Sequence, residues 1–145
     1  MVHGTNVDDL ATVLYDGIAL TARRLRQLAT PTDLSLPERS ALSRLDRGGP
    51  ATAAELARAE QISPQAMAVT LAALERRNFV ARQADPHDRR RIILSANDAG
   101  REVLRQRRDA RARQVALALD ERFTAAELDT LRAAAPLLER LGEGI

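Results

Sequence analysis

The 145-residue chain contains no cysteine and no lysine. The first absence excludes disulfides, thiolate catalysis, zinc–thiolate sites and thiol-based redox sensing. The second means that all 22 basic residues are arginine, which stays charged at any working pH and presents a planar fork suited to phosphate. Only two histidines occur, His3 and His87, far apart in sequence, so an imidazole-based metal site is not expected and no cofactor is implied. Aromatic residues make up 2%, which leaves any core to Leu, Ala, Val and Ile. No apolar run approaches the roughly 20 residues needed to span a bilayer. The N-terminus lacks the basic-then-apolar pattern of a secretory signal. A cytoplasmic protein without a membrane partner is the expectation.

What is present is the balance of a folded domain, 45% hydrophobic and 29% charged. Net charge is only +2, but it is unevenly spread. Arg76 to Arg91 holds six Arg against two Asp, and Arg101 to Arg113 holds six Arg against Glu102 and Asp109. Each segment is therefore +4, and the remainder of the chain is net −6. Concentrated basic segments in a weakly charged protein suggest a directed contact with a polyanion.

Apolar spacing and cap signals predict a mainly helical chain. Asn6 to Ala29 reads as a helix capped by Asn6, with Asp8 and Asp9 in its first turn, and Thr30–Asp33 breaks it. Ser35-Leu36-Pro37-Glu38 and Thr52-Ala53-Ala54-Glu55 read as capping boxes. The first opens a helix that stops at Gly48-Gly49-Pro50, and the second a short helix ending near Ala59. Ser63-Pro64 starts a helix to about Arg77 with Met67, Leu71 and Leu74 as its buried stripe. Asn78 stands where a left-handed residue is required. Strands Val80–Ala84 and Arg91–Ser95 flank a loop, Asp85–Arg90. Asn97 caps a long helix to about Leu119. Thr124-Ala125-Ala126-Glu127 opens a last helix to about Leu141, with Pro136 placed to bend it.

Two short helices joined by a tight turn match a helix-turn-helix, with Pro64–Arg77 as the candidate recognition helix. Gln65 can bond a base edge, Ala66, Ala68 and Val69 can touch thymine methyls, and small side chains let the helix sit deep in a major groove. Ser63, Pro64 and the helix start can meet a phosphate, and Arg76 lies on the same outer face. Such a face also serves as a helix-packing surface in other proteins. The following basic hairpin makes a winged helix. Arg89, Arg90 and Arg91 at its tip suit a narrow minor groove, and Asp85 and Asp88 are placed to pair with Arg89 or Arg90 and fix their direction. A solvated charged turn is the alternative. The basic helix run Arg101–Arg113 could flank the DNA or be a solvated face, and the solvated face is the favoured reading. No nucleophile motif or phosphate loop is present, and adjacent carboxylates such as Asp8 and Asp9 diverge on a helix, so an enzyme is not expected.

The stretches SPQAMAVTLAALERRNFVAR (63–82) and DPHDRRRIILSANDAG (85–100) resemble the recognition helix and wing of the MarR family of bacterial transcription regulators. Asp85, Asp88, Arg89, Arg90 and Gly100 match the family's wing pattern, and Leu74, Glu75, Arg77 and Val80 match the end of the recognition helix. Asn78, Ala96 and Asn97 depart from it, standing for glycine, leucine and threonine. The resemblance implies a winged helix-turn-helix over residues 35–96, with helical dimerisation regions at 1–34 and 97–145. It implies that Arg90 reaches into the minor groove, oriented by Asp88. It further implies a homodimer on a palindromic operator in double-stranded DNA, acting as a repressor released by a small aromatic or phenolic effector. That effector would bind between the dimerisation helices and the winged helix, with Tyr15, Arg23 and Arg24 as candidate lining. Apolar stripes at Leu14, Ile18, Val115, Leu119, Leu131, Leu137, Leu138 and Leu141 independently suggest pairing between two copies. A non-specific architectural DNA binder and a winged-helix protein-interaction module are the rival readings.

Overall fold

A computed structural model describes residues 3–28 and 34–145, with side chains from residue 6 onward. The elements are α1 (His3–Gln27), α2 (Leu36–Gly48), α3 (Ala53–Glu60), α4 (Pro64–Arg76), β1 (Val80–Ala84), β2 (Ile92–Ala96), α5 (Asp98–Arg122) and α6 (Ala125–Glu143). The mainly helical winged helix-turn-helix expected from the sequence is what the chain forms. The expected break at Thr30–Asp33 lies outside the described residues. The chain divides into two compact units, residues 1–108 and 109–145.

The helix starts follow from side-chain caps. Ser63 Oγ accepts the Ala66 N–H at 3.1 Å, with Pro64 in the first turn. At α3 and α6 the capping boxes are complete, Thr52 with Glu55 and Thr124 with Glu127. The box expected at α2 is only half made. Ser35 Oγ accepts the Glu38 N–H at 3.2 Å, but the Glu38 carboxylate accepts from Arg77 instead, at 3.3 Å. Helix α1 also corrects an expectation. It begins at His3, so Asn6 lies inside the first turns and does not cap them. A cap contributes only about 1 kcal/mol, which does not oblige the helix to start there. Helix α5 runs past Leu119 to Arg122.

A single core joins α2, α3, α4, the hairpin and the start of α5. It consists of Leu34, Ala41, Leu42, Leu45, Leu56, Ala57, Met67, Leu71, Leu74, Val80, Leu94, Ala96 and Val103. Aliphatic side chains fill it, as the scarcity of aromatics required. The hairpin pairs Val80 with Ala96 and Ala84 with Ile92, antiparallel. Strand β2 therefore begins at Ile92 and not at Arg91, whose carbonyl closes the loop by accepting the Asp85 N–H at 2.9 Å. The hairpin has a third partner that no sequence signal marks. Ala51 and Leu94 exchange backbone bonds of 3.0 and 2.8 Å, fastening the hairpin to the segment between α2 and α3.

The passage from α4 into β1 needs a left-handed residue, and Asn78 supplies it at φ 58°. The Asn78 and Phe79 N–H groups close the helix on the Glu75 and Leu74 carbonyls at 2.9 and 3.0 Å. Asn97 then locks this corner. Its Oδ1 accepts the Gly100 N–H and its Nδ2 donates to the Asn78 carbonyl, both at 2.8 Å. Any Cβ at Gly100 would collide with the Phe79 carbonyl oxygen.

Two stability predictions result. Gly100→Ala should lower unfolding free energy by at least about 2 kcal/mol, because backbone must move to admit the methyl group; an unchanged urea midpoint refutes the close approach. Glu60 ties α3 to α2, accepting from Ser40 Oγ and Arg44 Nε, both at 2.6 Å. Those bonds, the Ser40 hydroxyl first, hold its pKa below the usual 4.5. A depressed carboxylate stabilises the fold fully above its unfolded pKa, and the contribution is lost as pH falls through the lower folded value. Urea midpoints should therefore drop as pH falls below about 4.5, and Glu60→Gln should flatten that drop.

Candidate nucleic-acid interface

Helix α4 presents two faces of opposite character. Met67, Thr70, Leu71 and Leu74 are buried against α2 and α3. Ser63, Pro64, Gln65, Ala66, Ala68, Val69 and Arg76 are all exposed. Val69 is 71% exposed, an unusual position for a β-branched residue in the middle of a helix with a packed opposite side. The outer face is thus slim and mostly uncharged, with one amide near its start and one guanidinium near its end. Among the described residues nothing packs on it.

The wing tip is built by its two aspartates, though not as expected. Asp88 Oδ1 accepts the Arg90 backbone N–H at 3.1 Å, and its carbonyl accepts the Arg91 N–H at 2.9 Å. Asp85, only 9% exposed, accepts the His87 N–H at 2.9 Å. Neither carboxylate pairs with the Arg89 or Arg90 guanidinium. The expected ion pairs are replaced by short-range backbone bonds, because an Asp side chain reaches an amide two residues on more easily than a long flexible guanidinium. Asp88 therefore shapes the loop that carries Arg90 and does not hold its side chain. Arg89 and Arg90 are exposed and carry no ion pair among the described residues.

Arg91 stands apart from the other two. Its Nη2 donates to Glu55 Oε1 at 2.9 Å, and its Nη1 lies 3.9 Å from Asp85 Oδ2. The Thr52 N–H, more than Arg91, holds the Glu55 carboxyl below its ordinary pKa. Further along β1, Arg82 grips Glu75 of α4 at 2.8 and 3.0 Å. Neither Glu55 nor Glu75 stands out in the sequence as a partner of the wing; a carboxylate one helix away from a basic hairpin leaves no mark at fixed spacing.

The other candidates are placed as follows. Tyr15, 73% exposed, and Arg23 and Arg24 lie on the surface of α1. A shallow pocket of about 160 Å³ is lined by Asp46, Arg101, Leu104, Arg105 and Arg108. Within the basic run of α5, Arg101 pairs with Asp98 at 2.8 Å and Arg105 with Glu102 at 2.6 Å. Among the described residues no helix is long and apolar enough to cross a membrane.

The arrangement is that of a winged helix-turn-helix regulator. A model of the MarR family matches residues 34–92. An HTH-type transcriptional regulator of Mycobacterium tuberculosis is 33% identical over 129 residues, covering 89% of this chain and 90% of its own. A transcriptional regulator structure from Pseudomonas aeruginosa shares 31% identity at a TM-score of 0.74, covering 93% of this chain and 95% of that one. A mutant MepR of Staphylococcus aureus, bound to an oligodeoxyribonucleotide, shares the fold at a TM-score of 0.62 and 19% identity, covering 96% and 98%. The chain belongs to the MarR family and is a transcription regulator, not an enzyme.

The loop geometry makes its own prediction. Asp88→Ala should speed amide exchange at Arg90 while changing global stability by less than about 0.5 kcal/mol, since the site is exposed. Unchanged Arg90 exchange removes Asp88 from the role of loop organiser.

Proposed function

We propose that the protein is a dimeric repressor of an inverted-repeat operator. Helix α4 enters the major groove and the wing tip enters the neighbouring minor groove. Gln65 bonds a base edge, Ala66, Ala68 and Val69 meet thymine methyls, Ser63 and the helix start meet a phosphate, and Arg76 lies along the backbone. Arg89 and Arg90 fill a narrow minor groove where negative potential is enhanced. One observation carries the reading: the slim outer face of α4 and the two unpaired guanidinium groups of the wing tip are carried by one rigid core. A packing surface would be wider and more apolar.

A second copy accounts for the apolar stripes. Val7, Leu10, Val13, Ile18 and Leu20 of α1 are exposed, as are Leu131, Leu137, Leu138 and Leu141 of α6. Exposed leucine and isoleucine at helical spacing favour burial against another chain. Two-fold pairing sets two recognition helices about 34 Å apart, one helical turn of DNA. Release by a small aromatic or phenolic effector fits Tyr15 with Arg23 and Arg24 on α1, a ring and two cations suited to a phenolate or carboxylate.

The decisive measurement is binding to random DNA and to the gene's own upstream region across a salt series. A repressor prefers one palindromic site by about a thousandfold or more, with a steep salt slope. Equal affinity for all sequences identifies an architectural binder, and no binding a protein-interaction module. Arg90→Ala should cost about 1–3 kcal/mol per half-site, and Gln65→Ala should relax preference at one base pair by a similar amount. Sedimentation should give twice the 15.9 kDa chain mass; a monomer at operator-binding concentration overturns the dimer.

A further inference from the structure

Arg91 belongs to the arginine run by sequence and to the protein body by its contacts. Its carbonyl accepts from Asp85 and its N–H donates to Asp88, so the backbone fixes where its side chain departs. That side chain runs across to α3, where Glu55 Oε1 receives it at 2.9 Å. The other oxygen of the same carboxylate, Oε2, accepts the Thr52 N–H at 2.9 Å. Glu55 thus caps α3 with one oxygen and holds the wing with the other. Asp85, nearly buried, offers a second negative oxygen at 3.9 Å. Two carboxylates face one guanidinium, which leaves it little net charge to offer a phosphate.

We propose that Arg91 is a positioning residue. The Glu55–Arg91–Asp85 bridge sets the angle of the wing against the helix-turn-helix, so that Arg89 and Arg90 meet the groove beside α4, and Arg91 itself does not contact DNA. The inference rests on the DNA-binding reading above. The physical need for such a tie is plain. A two-stranded hairpin is marginal by itself, and the Ala51–Leu94 bridge fastens it at mid-strand, where Leu94 pairs with Arg82, and not at the loop beyond Ala84 and Ile92. A swing of the tip would move Arg89 and Arg90 out of register with α4, and the bridge from the loop to α3 resists that swing.

Glu55→Gln is the informative variant. A glutamine at the third helical position keeps the capping box, because its amide oxygen still accepts from Thr52. It removes the charge that holds Arg91 and raises the net charge of the protein by one, which by itself favours DNA. The probe is a duplex selected from a random-sequence pool by the unaltered protein. Glu55→Gln should weaken binding to it about two- to fivefold per half-site, the range for a half-exposed pair, with the salt slope unchanged. Arg91→Ala should weaken it similarly, again at constant slope, and the double variant should be no worse than the worse single one. In DNA-free protein, amide exchange across residues 85–91 should quicken in both variants.

The opposite assignment makes Arg91 a phosphate ligand restrained by Glu55. It predicts that Glu55→Gln strengthens binding and that Arg91→Ala lowers the salt slope by about 0.9 for each phosphate no longer neutralised. Either result, or unaltered exchange in the loop, overturns the proposal. Should the unaltered protein select no sequence at all, the operator reading fails, and the wing tie is still decided by the exchange of residues 85–91.

Discussion

Three elements with different tasks meet at Asn78 and Phe79. The recognition helix ends there, the wing begins there, and the long helix α5 starts against the same two carbonyls. The left-handed turn at Asn78 reverses the chain sharply enough for β1 to leave beside the helix it follows. A residue other than glycine in that conformation costs about 1–2 kcal/mol, least for Asn, whose short polar side chain is tolerated there. The Asn78 carbonyl is then held by Asn97, and the Phe79 carbonyl sits so close to α5 that only glycine fits at position 100. The direction in which β1 leaves α4 is therefore set by backbone geometry at one corner, before any side-chain contact further along the hairpin acts. On the proposed reading, with two probes in neighbouring grooves, that rigidity is needed, because a small angular error at the corner grows along the hairpin.

Charge is divided in the same spirit. Arg44, Arg77, Arg82 and Arg91 each pair with a carboxylate on another element. Half-exposed pairs of this kind contribute at most about 1 kcal/mol apiece, so their importance lies less in stability than in direction. They tie α2 to α3, α2 to the end of α4, β1 to α4, and the wing loop to α3. What remains unpaired at the tip is Arg89 and Arg90. Some arginines thus build the frame, and these two are presented by it. Part of the basic character read from the composition is thus bracing between elements.

This explains which features were legible in the sequence. The caps at Ser63, Thr52, Thr124 and Asn97, the buried stripe of α4 and the left-handed Asn78 are local signals, and each appears where the sequence placed it, whereas Asn6 does not cap α1. The exposure of Gln65, Ala68 and Val69 also followed directly from helical phase. Ion-pair partners were not legible. Arg91 looks like Arg89 and Arg90 in a string of letters, and only the fold brings Glu55, 36 residues earlier, to its guanidinium. The half-made capping box at Ser35 failed for the same reason, since Glu38 had a distant partner in Arg77. The Ala51–Leu94 bridge was invisible because a two-residue pairing has no periodicity. Tyr15, Arg23 and Arg24 lie on a helix whose apolar face is uncovered in one chain, so a single sequence could not say what they line.

The core also limits how such a protein could be controlled. Among the described residues, every member of it lies between Leu34 and Val103, and none comes from α1, α6 or the later turns of α5. Close-packed aliphatic cores do not deform gradually, so a small molecule bound against α1 would leave the shape of α4 and its wing intact. Its available lever is the distance and angle between two such bodies. On the proposed dimeric reading, one copy alone reads only half a site, and the second half-site adds its full effect only when the spacing matches one turn of DNA. Modest movement at the paired helices then changes affinity steeply, but only by as much as the effector prefers one spacing over the other. Regulation of this kind needs no flexibility in the DNA-reading body, which is consistent with how firmly Asn97, Gly100 and Glu55 hold it together.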